Sequence, residues 1–114
     1  MSVKLTTRQV GDVVVIDANG RITLGEGASQ FRDTIRELAA QGNKKVLLNL
    51  SDVTYIDSSG IGEMVSGFTT ITNNGGHLKL IGLSKRVKDL LQITKLYTVF
   101  DVYDDEAAAV RSFV

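Results

Sequence analysis

Short apolar segments of strand length alternate with segments of helical spacing along this chain, and this alternation narrows the choice of fold more than any other feature. Residues 46–50 and 78–81 are rich in Val, Leu and Ile, which is typical of buried strands. Residues 28–38 and 61–71 instead carry apolar side chains at three- and four-residue steps, as a helix with one buried face does. Such units predict an α/β domain with a mostly parallel sheet.

The first 18 residues predict a β-hairpin ahead of the alternating units. Residues 3–9 and 13–18 are β-rich segments on either side of a turn at Gly11-Asp12, and a loop is expected from Asn19 to Gly25. Residues 13–16 form a continuous apolar run, so we expect both faces of this strand to be covered. A helix capped by Ser84, a strand at 99–102 and a helix at 107–113 complete a β-β-α-β-α-β-α-β-α order, with about five strands and four helices.

Composition argues against several classes of function. The chain has 114 residues with 13 basic and 13 acidic side chains, so no net charge attracts it to nucleic acid, and we expect no direct DNA binding. With one histidine and no cysteine it offers no set of metal ligands, and no metal or cofactor is expected. No apolar stretch approaches the ~18 residues of a membrane span. We expect one domain over residues 1–114, in the cytoplasm and without membrane insertion.

The sequence Ile-Asp-Ser-Ser-Gly-Ile-Gly at residues 56–62 lies where a predicted strand meets a predicted helix. A hydrolase of the G-x-S-x-G type needs a glycine two residues before its serine, and neither Ser58 nor Ser59 has one. His77, the only histidine, opens a later strand, and no sequence feature brings it to the serines. We therefore expect a protein that is not an enzyme.

Glycine pairs at two strand-to-helix turns raise a second interpretation, a loop that binds phosphate. Gly25 and Gly27 form one pair, and Gly60 and Gly62 form the other. Backbone N–H groups at such turns can face an anion, but both pairs lack the third glycine of the dinucleotide-binding pattern. Gly25 and Gly27, with Thr23 in the same segment, remain candidate contacts with a nucleotide or with a neighbouring loop.

A third interpretation is that Ser58 accepts a phosphoryl group, because a phosphoserine in the first turn of a helix is stabilised by the helix dipole and by free N–H donors. The alternative is that Asp57 and the serines only cap the helix. Glu63 is the only charged residue between Ser58 and Gly76, so this helix suits either docking of a partner or packing within the protein. Its outward positions are small and polar: Gly62, Ser66, Thr69 and Asn73.

The chain closely resembles the STAS domain (sulphate transporter and anti-sigma-factor antagonist), and within that family the stand-alone bacterial anti-sigma-factor antagonists. The resemblance covers essentially the whole chain. It rests on Leu48-Asn49-Leu50, the hexapeptide Asp57-Ser58-Ser59-Gly60-Ile61-Gly62, and then Gly76 and the strand at 78–81.

The resemblance implies a phosphorylation switch. In these antagonists the first serine of the hexapeptide, here Ser58, is phosphorylated by the anti-sigma factor, an ATP-using serine kinase, and a PP2C-type phosphatase reverses the step. The unphosphorylated form binds the kinase and so frees a sigma factor, whereas the phosphorylated form releases the kinase. We expect a monomer or weak dimer. The predicted partner-binding residues are Asp57, Ser58, Ser59, Gly60, Gly62, Glu63, Ser66 and Thr69.

The loop before the first helix departs from the better-known sporulation and stress-response antagonists. Those often carry Gly-x-Leu-Asp, whereas this chain has Gly-Arg-Ile-Thr at residues 20–23 and then Leu-Gly-Glu-Gly. The departure leaves the identity of the kinase open. Other STAS proteins imply alternative functions, namely a non-switching subunit of a lipid-transport ABC system or sensory scaffold complex, and a nucleotide-binding STAS module.

Overall fold

The computed structural model describes residues 3–113 and contains a five-stranded sheet with helices on both faces. Its elements are β1 (Val3–Val10), β2 (Val13–Ile22), α1 (Glu26–Ala40), β3 (Lys45–Ile56), α2 (Ser58–Asn73), β4 (His77–Ile81), α3 (Lys85–Ile93), β5 (Asp101–Tyr103) and α4 (Glu106–Arg111). The strands lie side by side in chain order, with β1 antiparallel to β2 and every later pair parallel. The predicted α/β class, element order and mostly parallel sheet are confirmed.

Two apolar layers cover the two faces of the sheet. Ile16 and Leu48 belong to the larger layer, which also contains the buried faces of α1, α2 and α3. Val15 and Leu47, one residue earlier on the same strands, point the other way and join a smaller cluster with Phe113 and α4. Successive side chains of a strand face opposite sides, so a strand covered on both faces must be apolar at every position. The prediction for residues 13–16 is confirmed, since all four are buried.

Strands β2 and β3 extend further than predicted. The loop expected from Asn19 onward is wrong, because β2 continues to Ile22 and stays paired with β3, which itself continues to Ile56. The pairing register shifts between Asp17 and Asn19 and again between Gly20 and Arg21. Such irregularities interrupt the apolar alternation without ending the strand, which hides the extension from pattern analysis.

The carboxyl-terminal quarter of the chain also differs from the prediction. Strand β5 covers Asp101–Tyr103 rather than 99–102, because Val99 belongs to a turn in which its N–H donates to the Leu96 carbonyl oxygen at 3.0 Å. Phe100, just before the strand, is buried and its ring centroid lies 5.6 Å from that of Phe68. Helix α4 begins at Glu106 and ends at Arg111, so it is shorter at its end than the predicted 107–113. The predicted cap of α3 is confirmed, since the Val87 N–H donates to the Ser84 hydroxyl oxygen at 3.2 Å.

Candidate functional site

The candidate site lies at the carboxyl ends of the neighbouring strands β2 and β3, where Ile22 and Ile56 are register partners. Helix α1 follows β2 after a three-residue loop, and α2 follows β3 after Asp57 alone. Both helices therefore start at the same edge of the sheet. In open α/β sheets this edge is the usual position of a binding site.

Asp57 links the two helix starts through its carboxylate. One oxygen, Oδ1, accepts the backbone N–H of Gly60 at 2.9 Å and so caps α2. The other, Oδ2, accepts the backbone N–H of Leu24 at 2.9 Å, in the loop before α1. The N–H groups of Leu24 and Gly60 hold the pKa of Asp57 below its ordinary value, so the group is a carboxylate at neutral pH. The predicted capping role of Asp57 is confirmed, and the same side chain also positions the loop.

Two glycines allow the loops to pack this closely. A Cβ on Gly60 would lie 2.1 Å from the carbonyl oxygen of Ile22, and one on Gly27 would lie 2.7 Å from that of Arg21. Both glycines are buried and pack against the end of β2, whereas partner contact for Gly60 and nucleotide contact for Gly27 stay predictions. Gly25, by contrast, is exposed and has φ 96°, a conformation that glycine adopts without strain.

Ser58 is the first residue of α2 and is exposed, whereas Ser59 beside it is half-buried. Gly62, Ser66 and Thr69 are exposed further along the helix, and nothing lies within 4 Å of a Cβ built on Gly62. We call the exposed positions Ser58, Gly62, Ser66 and Thr69 the α2 face. It has no charged side chain of its own, so a partner could cover it at little desolvation cost.

Glu63 differs from the other predicted contact residues. Its carboxylate lies 3.5 Å from the guanidinium of Arg32 on α1, and its side chain is 22% exposed. The side chain therefore contributes to the contact between α1 and α2. The Glu63 carboxylate is thus directed toward Arg32 on α1 and does not add an unpaired charge to the α2 face.

A groove beside Ser58 was not predicted from the sequence. It has a volume of about 370 Å³ and lies between the start of α2 and helix α3, lined by Tyr55, Ile56, Asp57, Ser58, Arg86, Val87, Asp89, Leu90 and Ile93. Ile93 in its wall is an apolar side chain that is 78% exposed, and Leu24, whose backbone N–H donates to Asp57, is 79% exposed. The spacing of Arg86, Asp89, Leu90 and Ile93 along α3 is a helical stripe that could have indicated this wall.

The structure does not assemble a Ser-His pair. His77 is paired with Lys45 at the first residue of β3, whereas Ser58 lies beyond the last residue of that strand. Across residues 3–113 no group of His, Asp and Glu side chains is arranged to hold a metal ion. None of the helices described over the same residues has both the length and the apolar character needed to cross a membrane.

Comparisons with known proteins agree with this architecture. The STAS domain family model matches residues 4–109. The anti-sigma-B factor antagonist of Bacillus subtilis is 32% identical over 102 residues, covering 90% of this chain and 92% of the relative. A Thermotoga neapolitana protein named as a candidate anti-sigma factor antagonist is 33% identical over 103 residues, or 90% of each chain.

Among solved structures, the crystal structure of a candidate anti-sigma factor antagonist from Thermotoga maritima superposes with a TM-score of 0.89 at 29% identity. The match covers 96% of this chain and 93% of the other. Sequence and fold therefore agree over nearly the full length of both proteins. The resemblance predicted from the hexapeptide is confirmed, and the chain belongs to the STAS domain family.

Proposed function

We propose that this protein is an anti-sigma factor antagonist that is switched by phosphorylation of Ser58. Its unphosphorylated form binds an anti-sigma factor serine kinase through the α2 face and so releases a sigma factor in the cytoplasm. A PP2C-type phosphatase restores the binding form. The relatives named as antagonists support this proposal, because they match the chain over nine-tenths of its length.

The observation that carries the proposal is the placement of Ser58. Its side chain is exposed, and the helix start beneath it is fixed by the bonds of Asp57 to Gly60 and Leu24. A hydroxyl held in this way can reach a kinase without local unfolding. In the transfer, Ser58 Oγ forms a bond to the γ-phosphorus of ATP, the bond to the β-phosphate oxygen breaks, ADP leaves, and the hydroxyl proton passes to the kinase.

The phosphoryl group then opposes docking by its charge. It adds about −1.5 to −2 charge next to the carboxylate of Asp57. A partner that covers the α2 face would have to remove water from that charge, which is costly unless the partner supplies cations. The switch therefore needs no change of fold, because the added charge alone lowers the affinity of the α2 face for the partner.

The test combines capture with phosphorylation. The wild-type protein and the Ser58→Ala and Ser58→Asp variants are immobilised, and lysate of the native host is passed over each without ATP. We expect wild type and Ser58→Ala to retain one ATP-binding serine kinase that Ser58→Asp loses. The purified kinase should then modify wild type with ATP, and mass spectrometry should locate the phosphate on Ser58.

Two controls make the result specific. Thr7 is exposed on the edge strand β1, so Thr7→Asp adds the same charge away from the site and should leave capture unchanged. The thermal unfolding midpoint of Ser58→Asp should stay near that of wild type. Retention of the same transport or scaffold proteins by all variants would contradict the proposal and favour a non-switching subunit. Phosphorylation of the Ser58→Ala variant on Ser59 would show that Ser59, not Ser58, is the phosphate acceptor.

A further inference from the structure

Two arginine side chains meet one tyrosine ring beside Ser58. The guanidinium carbon of Arg21 lies 5.3 Å from the centre of the Tyr55 ring, and that of Arg86 lies 5.5 Å from it. Arg21 comes from β2 and is the register partner of Tyr55 on β3, whereas Arg86 comes from the first turn of α3. Among the described residues, neither arginine forms a salt bridge. Two guanidinium groups thus contact one ring, and no carboxylate of the described residues lies within salt-bridge distance of either.

The acidic groups near these arginines are already occupied. Asp57 uses both of its carboxylate oxygens on backbone N–H groups of Leu24 and Gly60. Asp89, one turn after Arg86 in the groove wall, accepts a hydrogen bond from the Lys85 ammonium at 2.9 Å. The guanidinium groups of Arg21 and Arg86 could therefore bind an added anion, which the unmodified site does not contain.

Ser58 and Arg86 line the same groove, one from the start of α2 and the other from α3. We propose that, in the phosphorylated protein, Arg86 leaves the Tyr55 ring and pairs with the phosphoryl group on Ser58 across this groove. Arg21 stays on the ring and supplies the second positive charge. This inference rests on the proposed role of Ser58 as the phosphorylation position.

The exchange of partners is favourable on physical grounds. A cation on an exposed aromatic face is weakly held, whereas a guanidinium and a phosphate form two parallel charge-assisted hydrogen bonds. Arginine suits the planar, two-pronged contact better than lysine does. The paired state would join α2 to α3 and remove Arg86 from any partner contact, so the phosphate would alter two elements of the surface at once.

The pairing is tested by phosphorus NMR on the full chain, with phosphoserine placed at position 58 during translation. Because a neighbouring cation favours the dianionic phosphate, Arg86→Gln should raise the affinity of the phosphate for its second proton about two- to fivefold, as for an exposed ion pair. Lys88→Gln removes the same charge from α3 outside the groove and should change the titration much less. The difference between wild type and Arg86→Gln should nearly vanish in 1 M salt, where the Debye length is about 3 Å.

A second readout follows the arginine itself. Phosphorylation should change the chemical shift of the Arg86 Nε–H in nitrogen-15 spectra and slow the exchange of its proton with water. Arg86→Lys, which keeps the charge, should retain part of the effect on the phosphate titration. Identical phosphate titrations in wild type, Arg86→Gln and Lys88→Gln would overturn the pairing. Since the phosphoserine is supplied in synthesis, that result would leave Ser58 free to be the kinase substrate. Conversely, a host without a matching kinase would overturn the proposed function but not the pairing.

Discussion

Gly60 and Gly62 lie two residues apart in the first turns of α2, yet the same substitution should have opposite effects on them. A Cβ on Gly60 would lie 2.1 Å from the carbonyl oxygen of Ile22 and 2.7 Å from Cγ2 of Ile56. The first contact is with backbone, which cannot rotate away as a side chain can. A Cβ on Gly62 would meet nothing within 4 Å. Gly60→Ala should therefore destabilise the protein and Gly62→Ala should stabilise it.

The expected magnitudes follow from helix propensity and packing. Alanine in a helix interior is favoured over glycine by about 0.5–1 kcal/mol, which is the gain expected for Gly62→Ala. At Gly60 the same gain is outweighed by the forced displacement of α2 from the end of β2, and we expect a net loss of about 2–4 kcal/mol in the free energy of unfolding. For a chain of this size, 1 kcal/mol corresponds to a change of about 4 °C in the melting temperature.

Urea unfolding followed by circular dichroism measures both values directly, and the matched pair removes effects that are common to the helix. The denaturant slope should stay constant if only the folded state is affected. The reasoning would be refuted by a Gly60→Ala protein that is as stable as wild type, because α2 would then tolerate a Cβ where the structure has no room. A large loss of stability in Gly62→Ala would equally contradict an open surface at that position.

Three further perturbations probe the supports of the site and of the carboxyl-terminal helix. Asp57→Ala removes a helix cap and should cost about 1 kcal/mol, with faster hydrogen exchange at the Leu24 amide. Lys79 is 8% exposed and donates to Ser112 at the end of α4, so Lys79→Ala should cost about 2 kcal/mol and speed exchange within α4. The guanidinium of Arg8 lowers the pKa of Glu106, so the pair stabilises the folded protein at pH values above the ordinary pKa of 4.5, and this contribution is lost as the pH falls through the lowered pKa. Glu106→Gln should therefore reduce the free energy of unfolding by up to about 1 kcal/mol at pH 7, and by less at pH 3.

Local features of the sequence predicted the parts of the fold that depend on neighbouring residues. The apolar periodicity of α2 and the capping residues Asp57 and Ser84 concern contacts over three or four positions, and the structure contains them. Ser58 was predicted to be exposed at a helix start for the same reason. The family was inferred from the hexapeptide at residues 57–62, because helix periodicity and capping patterns alone do not identify a family.

Features that depend on distant residues were missed. The extension of β2 and β3 follows from pairing across two register shifts, and neither strand shows it alone. The Arg21, Tyr55 and Arg86 cluster joins β2, β3 and α3, three elements separated by other elements in the chain. Likewise, the burial of Gly60 depends on the Ile22 carbonyl, 38 positions earlier. Each of these needs the tertiary arrangement, since no pattern within one segment encodes it.

The surroundings of Ser58 give a physical reason for a phosphate to act through binding rather than unfolding. Leu24 is bonded to Asp57 beside the serine, and Ile93 lies in the wall of the groove that Ser58 lines, and both side chains are more than three-quarters exposed. A partner that covers the groove and these apolar groups gains free energy by removing them from water, and it would also cover the Ser58 hydroxyl that lines the groove. A hydroxyl is easily accommodated there, whereas a dianion in the same place must be dehydrated or paired. If Arg86 pairs with it within the chain, the dianion is held in the groove that Ser58 and Ile93 line, where it opposes a partner that covers this surface.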